Sequence, residues 1–163
     1  MHTAERYHDI SCGHRVVGHE NKCRHLHGHN YRIHFVCSAQ RECESLDHIG
    51  RVIDFTAIKE KLCMWIENHW DHKFLAWEKD PVLLRIADLA KVWDRSYNGV
   101  KSGEAHEILN GSIVWLPFNP TAENMAKYLV EIIAPKQLEG TGVELISCKI
   151  EETMKCSATY HKE

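Results

Sequence analysis

Apolar and polar positions alternate most clearly from His27 to Ser38. His27, His29, Tyr31, Ile33, Phe35 and Cys37 share one face, and Asn30, Arg32 and His34 lie on the other, the two-residue period of a half-buried strand. Residues 5–17 also read as extended, interrupted at Gly13, with a polar loop over Gly18–Arg24 between the two. Residues 39–50 are polar and read as a turn or loop, and RVIDF (51–55) as a short strand. Asp54 is a suitable N-cap for a helix to about His69, in which Phe55, Ile58, Leu62, Trp65, Ile66 and His69 recur at three- and four-residue steps. DPVLLRIADLAKVW has a helical period, and Pro81 suits its first turn. SYNGVKSGEAHEILNG reads as a loop and GSIVWLPF as extended. NPTAENMAKYLVEIIAP predicts a second strong helix, opened by Pro120 or Thr121, buried along Met125, Leu129, Ile132 and Ile133, and ended by Pro135. Residues 143–152 alternate, with Ile146, Cys148, Ile150 and Glu152 on one face, and CSATYHK supplies a last strand. This order predicts an α+β fold with a mostly antiparallel sheet and helices on one face.

The 163 residues suit one domain with a core of its own. A net charge of −3 gives no broad electrostatic footprint for nucleic acid, and no apolar run approaches the ~20 residues of a membrane helix. The N-terminus MHTAERYHD has no signal-peptide core, so a cytoplasmic protein is expected. Seven cysteines, an odd number in such a setting, read as mostly reduced thiols. Histidine is the unusual residue: 13 of them raise the rate of accidental His-x-His patterns, so spacing alone is a weak argument for a metal.

The candidate chemistry starts at His27-Gly28-His29. Residues i and i+2 of a strand point the same way, so two imidazoles can close on one ion, and a catalytic zinc needs a third protein ligand. His25 continues the series, but three same-face positions on one strand span ~13 Å, too far for bonds of ~2 Å unless the chain bends. His14, on the preceding extended segment, would face His27 and His29 if the two segments pair antiparallel and is preferred, with His19 a further rival. A polar, histidine-rich sheet edge without metal remains the alternative. Cys23, four residues before His27 and flanked by Lys22 and Arg24, is a candidate reactive thiol. The other cysteines read as small hydrophobes, although Cys12 stands two residues before His14. Asp71-His72 could serve a proton relay or simply meet a helix C-terminus, and Glu152 could receive a paired donor or face solvent.

In order along the chain, ISCGHRV, KCRHLHGHNY, VIDF, DHKFL, NPTAENMAKYL and EETMKCSATY resemble the motifs of the 6-pyruvoyltetrahydropterin synthase / 6-carboxytetrahydropterin synthase family. The resemblance spans nearly the whole chain apart from an insert at about 78–112. It implies a tunnelling fold (T-fold): an antiparallel sheet with two main helices on one face, closing into a barrel as a homo-oligomer, a hexamer favoured over a tetramer, with active sites between subunits. It implies zinc on His14, His27 and His29, Cys23 as the proton-transferring thiol with Asp71 and His72 as partners, and Glu152 as the pterin anchor. The short Cys-x3-His-Gly-His gap resembles the carboxy-forming branch of queuosine biosynthesis. That branch implies a lyase taking 7,8-dihydroneopterin triphosphate to 6-carboxy-5,6,7,8-tetrahydropterin, acetaldehyde and triphosphate. A pyruvoyl-forming triphosphate elimination is the alternative within the family, and a non-catalytic zinc-binding protein the alternative outside it. Two departures from the family pattern are Ala76 after Leu75, where asparagine is usual, and the insert, read as a surface excursion.

Overall fold

The computed structural model describes residues 1–40, 46–91 and 103–163. Its frame is a long antiparallel pair, β1 (Ala4–His14) and β2 (His27–Ala39), in register from Ala4 opposite Cys37 to His14 opposite His27. β5 (Val143–Thr153) runs antiparallel to the other edge of β2, and β6 (Cys156–His161) antiparallel to β5. On the far side of β1 lie two short parallel strands, β3 (Phe74–Trp77) and β4 (Ile113–Leu116). The sheet order is β4-β3-β1-β2-β5-β6, so the predicted mostly antiparallel sheet carries a parallel edge.

The face legible in the sequence is the buried one. Ile10, Tyr31, Ile33, Phe35, Cys148 and Ile150 pack with two helical bodies. The first, α1 (residues 55–69), has α-helical ends around a wider π-helical turn at Lys59–Cys63, where Met64 N–H donates five residues back to Lys59 O. Asp54 caps it, its Oδ1 accepting Thr56 N–H at 2.7 Å. Ile58, Leu62, Ile66 and, just past its end, Trp70 are fully buried or nearly so. Each such side chain contributes about 1.5–3 kcal/mol on burial.

Several expectations are corrected. RVIDF is not a strand: Asp47 N–H donates to Arg51 O, Arg51 N–H donates to Asp47 Oδ1, and the Arg51 guanidinium reaches Asp47 and Asp54 at 2.8 and 2.7 Å, closing a turn before the helix. Part of the loop expected over 39–50, residues 41–45, lies outside the described residues. Pro135 does not end the last helix. That body, α4 (residues 122–137), has a π-helical turn over Leu129–Ile133 and continues to Gln137, because the wide turn asks for a bond from Ala134 N–H to Leu129 O and leaves room for a residue with no N–H to give. The segment expected to be a loop at 96–111 holds a helix, α3 (Glu104–Ser112), preceded by Gly103 in the left-handed region. The helix predicted from Asp80 to Trp93 is observed as α2 (Pro81–Lys91), and residues 92–102 lie outside the described residues. Together α2 and α3 make the crossover that parallel neighbours such as β3 and β4 require. Among the described residues no helix is long and apolar enough to cross a membrane.

Gly13 is needed where β1 meets β3. A Cβ there would stand 2.5 Å from Cδ2 of Phe74. Gly13→Ala is expected to cost about 1–3 kcal/mol, since the ring must be displaced from a packed site. Thermal unfolding checks this, and an unchanged midpoint would show that the ring moves away freely.

Candidate metal centre

The register of β1 and β2 builds the centre. His14 closes one strand opposite His27, which opens the other, and His29 follows two residues later on the same face. One nitrogen from each of the three falls within 4.8 Å of the others. His14 Nδ1 donates to Pro120 O at 2.7 Å, ahead of α4, and His27 Nδ1 donates to His25 O at 2.7 Å. With both Nδ1 atoms committed as donors, both Nε2 atoms carry lone pairs, and these stand 3.1 Å apart. Two lone pairs at that separation repel each other, and a cation held between them relieves the repulsion. His29 Nε2 is buried with no hydrogen-bond partner. A metal held by three imidazoles fits all of these observations.

The protonation states agree with that donor set. Burial, only partly offset by Pro120 O, pushes His14 down to about 4, and burial is also the main cause that lowers His29. Metal ligands must be neutral imidazoles. In the metal-free protein the same burial predicts a pH dependence of stability. Between pH 6.5 and about 4 the unfolded chain takes up a proton on His14 that the folded chain refuses. Stability is therefore fully present above pH 6.5 and falls as the pH drops toward 4, by on the order of 3 kcal/mol from this group. Urea unfolding of chelated protein across that range checks it, and a flat profile would contradict it.

Tyr31 is the next residue on the face and is fully buried. Its hydroxyl lies 3.1 Å from His14 Nε2 and donates to Glu152 Oε1 at 3.4 Å. Burial first, then Cys12 and Glu152, pushes that hydroxyl up, and Cys23 is near enough to contribute. Glu152 is brought alongside because Arg32 pairs with Glu151 in the neighbouring register position, and its Oε1 is 3.9 Å from His14 Nε2. Cys12 is buried and its thiol is pushed up to about 12, chiefly by burial, which makes it a neutral packing group. Cys23 is half-buried on a single helical turn, Lys22–Arg24, tied down by Val16 N–H donating to Cys23 O at 2.8 Å.

Asp71 and His72 form a pair of their own. His72 is the one non-glycine with positive φ (56°) among the described residues, and this turns its ring back so that Nδ1 meets Asp71 Oδ2 at 2.5 Å. Asp71 Oδ1 accepts Ser11 N–H, and His72 N–H donates to Ser11 O, both at 2.8 Å. Burial works to raise the Asp71 carboxyl, but the Ser11 N–H and His72 outweigh it and hold it below its ordinary value. The His72 side chain is 83% exposed. It shares an open groove with His29, Asn30 and the paired Gly13 and Gly28. Among the described residues no hydrogen bond joins Cys23 to Asp71 or His72.

The structure thus gathers His14, His27 and His29 with Glu152 at their edge, and leaves the His72 ring exposed with Asp71 held behind it against Ser11. His25 contributes only its carbonyl, and the His19 ring accepts Asn21 N–H at 2.9 Å. Tyr31 and the Pro120 carbonyl were not among the expected site residues. For Tyr31 the signal was present, because it continues the i, i+2 series of His27 and His29. For Pro120 there was none, since a backbone acceptor leaves no mark on a side-chain pattern.

A sequence profile of 6-pyruvoyl tetrahydropterin synthase matches residues 3–163. A Rickettsia felis protein named 6-carboxy-5,6,7,8-tetrahydropterin synthase is 32% identical over 149 residues, 91% of each chain. Among solved structures, an uncharacterized protein of Wolinella succinogenes is 28% identical, with a TM-score of 0.73 over 99% of this chain and 98% of that one. A Plasmodium vivax 6-pyruvoyltetrahydropterin synthase, 18% identical with a TM-score of 0.62 and 99% of both chains covered, shares the fold.

Proposed function

The chain belongs to the 6-pyruvoyl tetrahydropterin synthase family, and on that premise we propose that it is a zinc-dependent carbon–carbon lyase of queuosine biosynthesis. Its substrate is 7,8-dihydroneopterin triphosphate, and its products are 6-carboxy-5,6,7,8-tetrahydropterin, acetaldehyde and triphosphate. The observation that carries the reading is the three-imidazole cradle, with its two opposed Nε2 lone pairs and one orphaned Nε2, set beside Glu152. The choice of branch is supported by the name of the R. felis relative and by the Cys23-to-His27 spacing.

Zinc held by His14, His27 and His29 would supply Lewis acidity toward the side-chain hydroxyls of the substrate. Glu152 accepts two N–H groups from the pterin amidine, a charge-assisted fork that fixes the ring. Cys23 moves the proton beside the ring. His72, its Nδ1 held by Asp71, presents Nε2 as the complementary acid or base. The exposure of His72 and its lack of a bond to Cys23 support a homo-oligomer in which one copy's pair completes another copy's site; the favoured hexamer and the cytoplasmic setting rest on the family resemblance and the N-terminal sequence. Incubating zinc-loaded protein with 7,8-dihydroneopterin triphosphate tests the reading. Acetaldehyde with a carboxypterin supports it, a pyruvoyl pterin transfers the chain to the elimination branch, and no turnover leaves a zinc-binding protein.

A further inference from the structure

We propose that Tyr31 is a positioning residue that reports metal occupancy to Glu152, so that the metal and the pterin ring bind cooperatively. The inference rests on the reading of Glu152 as the pterin anchor. Tyr31 has one hydroxyl proton and two acceptors facing it: His14 Nε2 at 3.1 Å and Glu152 Oε1 at 3.4 Å. His14 Nε2 is an acceptor because its Nδ1 is spent on Pro120 O. The acceptors are themselves 3.9 Å apart, so the three atoms form a closed triangle, and Tyr31 is fully buried at its base.

One lone pair on His14 Nε2 has two claimants. Without metal it competes with the carboxylate for the Tyr31 proton, and the carboxylate is held only part of the time. A metal ion on Nε2 uses that same lone pair, so the proton passes wholly to Glu152 as a charge-assisted bond. The carboxylate is then fixed before the pterin arrives, and less freedom is lost on binding. Coupling of this kind is reciprocal, so the ring tightens the metal by the same factor.

The test uses unsubstituted pterin, which has no side-chain hydroxyls for the metal to touch. Its dissociation constant is measured on zinc-loaded and on chelated full-length protein. Wild type is expected to bind about three- to tenfold tighter when loaded, the range of an ordinary net hydrogen bond, because the Tyr31–Glu152 bond is already made part of the time without metal. In Tyr31→Phe, which keeps the ring and removes the proton, the ratio should fall to about one while zinc content stays the same. Tyr31→Met, which fills the buried site with a flexible apolar side chain and also lacks the proton, should bring the ratio to about one and stands in for Tyr31→Phe if that variant does not fold. A wild-type ratio kept in either variant overturns the relay, as does a ratio of one in a wild type that binds the ring. Failure of wild type to bind pterin in both states overturns the proposed function along with the relay.

Discussion

Cys23→Ala is expected to retain one zinc per chain and to lose turnover by about 10²–10⁴, the usual contribution of a positioned proton carrier. The first half of that expectation follows from geometry. The three imidazole nitrogens that can share an ion come from His14, His27 and His29, and Cys23 is outside that group. Its side chain stands on the Lys22–Arg24 turn, which buries no residue, and the turn is held by backbone bonds: His25 N–H to Lys22 O at 3.0 Å and Val16 N–H to Cys23 O at 2.8 Å. Removing a sulfur there leaves those bonds intact, so the unfolding midpoint should move little. The second half follows from the proposed chemistry, in which no other described side chain beside Tyr31 offers an accessible thiol: Cys12 is buried and neutral. Metal analysis and steady-state product formation on the same preparation read both halves. Retained turnover would remove Cys23 from the mechanism, and lost zinc would place its sulfur on the metal.

What the sequence disclosed depended on whether a structural cause acts through side-chain period. β2 was legible because one of its faces is buried and the other wet. The same alternation carried His27 and His29 to one side and made an antiparallel partner, His14, a better third residue than His25. β3 was missed because its central residues, Leu75 and Ala76, are both buried, which erases the alternation. α3 was missed for the opposite reason: it buries no residue, and Asn110 and Gly111 give it the composition of a loop. The apolar residues of RVIDF suggested a strand, whereas the polar ones decided the outcome, Arg51 being engaged by Asp47 and Asp54.

The site divides along the same line. The imidazole cradle was readable from spacing and from a family resemblance. The pairing of Asp71 with His72 was not, since adjacency does not bring two side chains together and the left-handed backbone at His72 does. Tyr31 was visible on the correct face but looked like core, which it also is: one end packs and the other meets His14.

His27→Ala should separate the metal from the fold. Two imidazoles remain, and a catalytic zinc normally requires three protein ligands, so zinc content is expected to fall from about one per chain to a small fraction and product formation to become undetectable. The fold should survive. His27 is half-exposed at the first residue of β2, its ring meets the rings of His14 and His29, and its Nδ1 bond to His25 O is a local one. In chelator the variant should unfold within about 0.5 kcal/mol of wild type, as surface substitutions usually do. The difference between the proteins should therefore appear only when zinc is added. An ion that binds only the folded state at a hundred times its dissociation constant adds about 2.7 kcal/mol, and wild type alone should show that gain. Unfolding curves with and without zinc, beside metal analysis, read the whole argument. Unchanged zinc content in His27→Ala would refute the ligand assignment. A variant that unfolds in chelator would mean that His27 is structural and that the cradle's geometry serves the sheet before the metal.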